Sequence, residues 1–238
     1  MLQEMLNTTI SLVFPPQCEI CERGLEFSTA VGICENCHSE IKFIPAPHCL
    51  SCGRTVKNGT DRCGRCFHES YHFDRAYACA FYEGNVRELL HVYKFGGRKY
   101  LKHFFAETMA RFAYQHLDTA SFHSIVAVPM DRGKENERGF NQSKKISGEI
   151  AGKLGIPDDS KKLRRVKPNS TQHFLAKEDR KRNAKGAFRV TQKDFFKPKN
   201  VLLIDDILTT GQTASECAKV LKSAGASSVT VLACARGI

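Results

Sequence analysis

Residues 201–214 read VLLIDDILTTGQTA. The apolar run from Val201 to Ile204 predicts a buried strand, and Asp205 and Asp206 arrive together at its carboxyl end. Thr209, Thr210, Gly211, Gln212 and Thr213 then form a short loop opening onto a helix predicted over 213–224. Such a unit belongs in an α/β fold with a mainly parallel sheet, whose ligands sit at the carboxyl ends of the strands.

Working outward, SSVTVLACA (227–235) predicts a last strand, and SIVAVP (124–129) predicts a buried strand ended by its proline. A helix is predicted over 141–154, with strand-like stretches at KKLRRV (161–166) and near 187–190. Further upstream, Val86, Leu89, Leu90 and Tyr93 keep helical spacing up to Gly96-Gly97, and 100–117 predicts a longer amphipathic helix. FDRAYACAFYEG (73–84) carries no assignment.

The loop has the chemistry of a phosphate cradle. Amides at a helix start, joined by three threonine hydroxyls, suit a phosphate dianion, and Gly211 removes a side chain that would block close approach. The acids repel phosphate but suit ribose hydroxyls, or the waters of a magnesium ion neutralising a pyrophosphate. The bland alternative is an N-capped helix whose threonines only satisfy its first amides. Two adjacent acids ending a buried strand weigh against it, because such groups are costly without a role.

Charge is unevenly distributed. The chain carries a net +11, with 7 Lys/Arg against 9 Asp/Glu in residues 1–75 and 29 against 16 in the remainder. The second part therefore holds the anion-attracting field. Residues 161–199 alone contain 14 Lys/Arg and 3 Asp/Glu, with Phe174, Phe188, Phe195 and Phe196 among them. Basic groups interleaved with aromatics suit a groove for single-stranded nucleic acid. The same pattern also fits phenylalanines in a core beneath a solubilising surface.

No apolar run approaches the ~20 residues needed to span a bilayer. MLQEMLNTTISLVF at the start has an acid where a leader would be basic and no cleavage site; its spacing predicts a short amphipathic helix before Pro15-Pro16. A cytoplasmic location is expected.

Eight of the 11 cysteines fall in four pairs: Cys18/Cys21, Cys34/Cys37, Cys49/Cys52 and Cys63/Cys66. A two-residue gap lets one turn aim both sulfurs at a single ion, and two such knuckles complete a tetrahedral zinc site. Two structural Zn2+ ions are expected, with no coordination position left for water and hence no chemistry at the metal. Sequential pairing needs only local loop closure and an interleaved cross-brace a longer one; the spacing permits either. A segment so small and polar depends on its ions, each worth ~10 kcal/mol or more in small sites. His38, His48, His68 and His72 are read as bystanders, and Cys79, Cys217 and Cys234 as buried thiols. The expected division is a zinc module over 1–75 and an α/β domain over 76–238.

The motif of four apolar residues, Asp-Asp, two residues and Thr-Thr-Gly-x-Thr resembles the PRPP-binding motif of type I phosphoribosyltransferases. The resemblance implies that Asp205 and Asp206 bind the ribose hydroxyls, that residues 209–213 wrap the 5′-phosphate, and that Mg2+ accompanies PRPP. VAVPMDRGKENERGFNQS (126–143), HVYKFGGR (91–98), KPNSTQHFLAKEDRKRN (167–183) and the cysteine pairs together resemble the competence protein F family. That family implies a double zinc ribbon joined to a phosphoribosyltransferase-like domain, natural DNA uptake, single-stranded DNA in the cytoplasm and a helicase-like ATPase partner. Within this frame Arg132 is placed to approach a pyrophosphate, and Arg138 lies just before a helix; Lys94 and Arg98 flank a glycine pair. Thr171, Gln172, Arg180 and Asn183 correspond to a mobile hood. Two other readings compete: an active phosphoribosyltransferase with an unknown acceptor, and a zinc-ribbon adaptor whose pocket is vestigial.

Overall fold

The computed structural model describes residues 16–25, 32–57, 60–167 and 184–237. The expected helix before Pro15 and nearly all of the expected hood lie outside them. A four-stranded sheet organises the chain, in the order β1 (Arg75–Phe81), β6 (Ser228–Arg236), β5 (Asn200–Leu208), β2 (Ser124–Ala127). All three pairings are parallel. A separate antiparallel pair joins β3 (Leu163–Arg165) to β4 (Phe188–Val190).

Strand alternation sorts the core into two layers. Leu202 and Ile204 of β5 face a cluster built by α3 (Gly84–Phe95), α4 (Lys102–His116) and α6 (Gln142–Leu154). Val201 and Leu203 face the other cluster, with α7 (Gln212–Ser223) and β4. The sheet is thus covered on both sides, as a parallel sheet requires. The helices are bounded by local signals. Asn141 caps α6 by accepting from the Lys144 amide at 3.2 Å, and Gly155 closes it in the left-handed region. The long helix predicted over 100–117 opens with a single 3-10 turn at Lys99–Leu101 before α4.

β1 and α5 (Arg132–Arg138) carry no sequence expectation. β1 has three alanines and lacks β-branched residues, so only Tyr77 and Phe81 in it favour a strand. α5 has no buried residue and hence no apolar stripe. It stands on its ends: the Asp131 carboxylate accepts from the Gly133 and Lys134 amides, and Gly139 ends it at φ 77°. A third difference concerns the acids. The strand does not stop at Asp205 but stays paired with β6 as far as Leu208 opposite Arg236.

Two short helices, α1 (Glu35–Ser39) and α2 (Gly64–His68), carry the second knuckle of each cysteine set. The cysteine-bearing segments pack on the sheet rather than apart from it. The Ile44 amide donates to the Cys79 carbonyl at 2.9 Å and the Phe81 amide to the Lys42 carbonyl at 3.0 Å, which covers the outer edge of β1. Cys18, Ile33, Cys37 and Ile41 share one apolar cluster with Leu90 and Phe104. Gly53, at φ +71°, is seated against β1, where a Cβ would fall 2.6 Å from the Ala76 carbonyl oxygen.

Candidate functional site

The cysteines form two sets, Cys18/Cys21/Cys34/Cys37 and Cys49/Cys52/Cys63/Cys66, each with its sulfurs within 4.8 Å of one another. Pairing is therefore sequential. Cys21 and Cys34 sulfurs stand 3.7 Å apart and those of Cys52 and Cys63 3.6 Å apart. A tetrahedron with Zn–S bonds of about 2.3 Å has edges of about 3.8 Å, so both sets fit the ion. No histidine joins either set among the described residues; His48 instead meets Tyr77 edge-on at 5.2 Å. Cys79, Cys217 and Cys234 are buried, and burial pushes each thiol well up from its ordinary pKa.

β5 brings Asp205 and Asp206 beneath the loop that starts α7. The two carboxyls have separate electrostatic fates. Burial and the neighbouring Asp206 charge push Asp205 well above the carboxylate range. Burial works on Asp206 in the same direction, but the Lys94 ammonium 2.5 Å away overrides it and holds that carboxyl low. Of the two, Asp205 is therefore the carboxyl that takes up a proton more readily and Asp206 the one that holds its negative charge. Asp205 accepts from the Ser143 hydroxyl at 3.3 Å and from the Asp206 amide at 2.9 Å. Lys94, expected only to flank the glycine pair, is thus a member of the acid site. Arg98 is not: it pairs with Glu19 of the first cysteine knuckle at 3.1 Å.

The loop meets the geometric needs of an anion cradle. Gly211 occupies the cap position of α7 at φ 79° and offers no side chain, leaving the first-turn amides without a side-chain cap. The Gln212 amide meets the Thr210 hydroxyl only weakly, at 3.4 Å. Thr209, Thr210, Gln212 and Thr213 are all partly exposed. Behind the loop stands Tyr71, which the sequence reading passed over. Its hydroxyl lies 3.2 Å from the Thr210 carbonyl and 3.3 Å from a Glu69 carboxylate oxygen. Burial raises its pKa to about 12, so it remains a donor. An aromatic pair, Tyr71 and Phe73, directly after the last cysteine knuckle was the signal available in sequence.

Arg132 and Arg138 sit at opposite ends of α5 and do different things. Arg132 lines a cavity of about 250 Å³ with Pro129, Asn141, Lys144, Lys161 and Arg164, beyond the end of β2. Arg138 lies over the exposed Phe95 ring, 4.5 Å from its centroid, and reaches Gln142 at 3.4 Å. In the basic stretch 161–199, Phe188 and Phe196 are buried core residues. Phe195 is covered by cations, Lys199 at 3.8 Å and Lys162 at 4.5 Å from its ring centroid. Of the four phenylalanines, Phe174 lies outside the described residues. The other three serve packing. No helix among the described residues is long and apolar enough to cross a membrane.

Comparisons with known proteins follow the same outline. Residues 9–67 match the model of the double zinc ribbon domain. The chain is similar to competence protein F of Haemophilus influenzae, 29% identical over 228 residues, which are 92% of this chain and 96% of that one. It is 31% identical to the DNA utilization protein YhgH of Salmonella typhimurium, with the same coverage. Competence protein ComFC of Streptococcus pneumoniae is 26% identical over 83% of this chain and 84% of its own. Among solved structures, adenine phosphoribosyltransferase from Thermoanaerobacter pseudethanolicus overlaps at a TM-score of 0.37 with 15% identity, covering 58% of this chain and 82% of that one. Phosphoribosylpyrophosphate synthetase from Mycobacterium smegmatis overlaps at 0.35 with 18% identity, covering 56% and 33%. Overlaps of that size carry no argument about ligands, and the loop must speak for itself. With two sequential four-cysteine centres fused to a parallel α/β sheet, and with identity of this extent along nearly the whole chain, the protein belongs to the competence protein F family.

Proposed function

We propose that this chain is a competence-associated protein of DNA uptake that binds a phosphoribosyl ligand, PRPP with Mg2+, at Asp205, Asp206 and residues 209–213. The observation that carries the reading is the split acid pair beneath a helix start whose cap has no side chain. Asp206, held charged beside Lys94, can accept from one ribose hydroxyl, Asp205 can share a hydrogen bond with another, and the α7 amides receive the phosphate. Mg2+ would supply charge neutralisation of the pyrophosphate, and the carboxylate oxygens or their waters are donors of the right kind. Lys94 must then share Asp206 with the sugar or turn towards the pyrophosphate. Arg132, in the basic cavity beyond β2, is the arginine open to that group; Arg138 acts by holding Phe95 and Gln142.

The names of the relatives, competence protein F and DNA utilization protein, support a role in handling incoming DNA. The +11 balance within 161–199 suits single-stranded DNA, and a helicase-like ATPase is the partner the family implies. Both functions belong in the cytoplasm. Calorimetric titration with PRPP and Mg2+ tests the ligand. Wild-type protein should bind, and Asp206→Ala should bind at least about tenfold more weakly, as loss of a charge-assisted contact requires. No heat from the wild-type protein would sink the reading. Release of pyrophosphate on addition of an acceptor would make it a phosphoribosyltransferase.

A further inference from the structure

Tyr71 stands between the second cysteine set and the loop 209–213, and touches both. On one side its ring packs against the cluster of Cys49, Cys52 and Cys66. On the other it meets the bare Cα of Gly211, where a Cβ would fall 3.1 Å from the ring. The hydroxyl holds the Thr210 carbonyl. The next residue continues the grip, with the His72 amide donating to the Ser215 hydroxyl of α7 at 3.0 Å. Phe73, stacked on Tyr71 with centroids 4.8 Å apart, enters the core cluster that contains Ala214. Back towards the cysteines, Arg65 in the helix of Cys66 reaches Glu69 at 2.6 Å, and Glu69 lies beside the Tyr71 hydroxyl.

Among the described residues the first cysteine set has no such path. Cys18 and Cys37 pack in the other layer, with Leu90 and Phe104, and Glu19 beside them pairs with Arg98. The two centres are alike in chemistry and differ in what they hold.

We infer that the second four-cysteine centre anchors the phosphate loop: segment 65–73, fixed by that centre, sets the positions of Thr210 and Gly211 through Tyr71, and the first centre takes no part. A segment this short has little core of its own, so its order depends on the ion, and the loop inherits that order. The inference rests on the phosphoribosyl reading only for its ligand; the anchoring itself does not need one.

Hydrogen exchange of the full chain, without ligand, reads the anchor in peptides covering 208–216. Zinc content is measured alongside. Cys66→Ser should lower the zinc content from two ions to one and speed exchange of the loop amides. Cys21→Ser should also lose one ion and leave the loop unchanged. Tyr71→Phe should keep both ions yet speed loop exchange about fivefold, the effect of one missing hydrogen bond. Equal loop exchange in Cys66→Ser and Cys21→Ser, or an unaltered loop in Tyr71→Phe, would overturn the anchor. If Cys66→Ser does not fold, the Tyr71→Phe comparison decides alone. Wild-type protein that ignores PRPP while its loop still follows the second centre would remove the phosphoribosyl reading and leave the anchor standing.

Discussion

The carboxyl of Asp205 is held where ionising it is unfavourable, because burial and the Asp206 charge both raise its pKa. A group raised in the folded state contributes its full stability below its unfolded pKa and loses it as pH rises through the folded value. Asp205 is therefore a cost near neutrality. Asp205→Asn should raise the melting temperature at pH 7, and the advantage should shrink as pH falls towards the ordinary carboxylate range. A melting difference constant with pH would show that Asp205 does not titrate with folding. Of this site the sequence displayed the acids and the loop but not their division of labour. Lys94 lies 111 residues from Asp205 in the chain, and the charge on Asp206 is decided by that distant ammonium. Tyr71 was hidden for the same reason: its partner Thr210 lies 139 residues away.

Among the elements, those with strong patterning were legible and those held by their surroundings were not. β5, β6, α4 and α6 announce themselves by apolar runs or helical spacing, and the structure has each of them there, with β5 running past its apolar run to Leu208. β1 is a strand because β6 on one side and segment 42–44 on the other offer it partners. Its own residues would fit several conformations. α5 exists through Asp131 and Gly139, one residue at each end. Gly53 tests how firmly the second knuckle is seated on β1. In Gly53→Ala both the left-handed backbone and the Ala76 carbonyl oppose the new methyl, so stability should fall by about 2 kcal/mol, read from chemical denaturation. An unchanged midpoint would mean that knuckle and strand do not press together in solution.

At the scale of the molecule, the basic stretch 161–199 presents its cations, and its described phenylalanines lie within the core or beneath them. The phenylalanines of 161–199 were readable as stacking platforms from their spacing, yet Phe188 and Phe196 are buried and Phe195 lies beneath lysines. Through the described part of this region, association with single-stranded DNA would rest on phosphates, with little stacking of bases on its phenylalanines. Affinity for an oligonucleotide should fall steeply and log-linearly with salt, and reversing several charges within 161–167 should flatten that slope. Salt-insensitive binding would place the DNA elsewhere.

The order of the sheet also bears on how the chain comes to be folded. β6, the last of the described strands in chain order, lies between β1 and β5, and among the described residues no other strand joins them. Without β6, the inner edges of β1 and β5 would each be a row of unpaired backbone amides and carbonyls. The cysteine knuckles can close early, but Cys52 waits for the Arg236 guanidinium that caps its carbonyl. A chain cut before Ser228 should thus hold two unjoined halves that proteases attack, because the nine-residue strand that bridges them is missing.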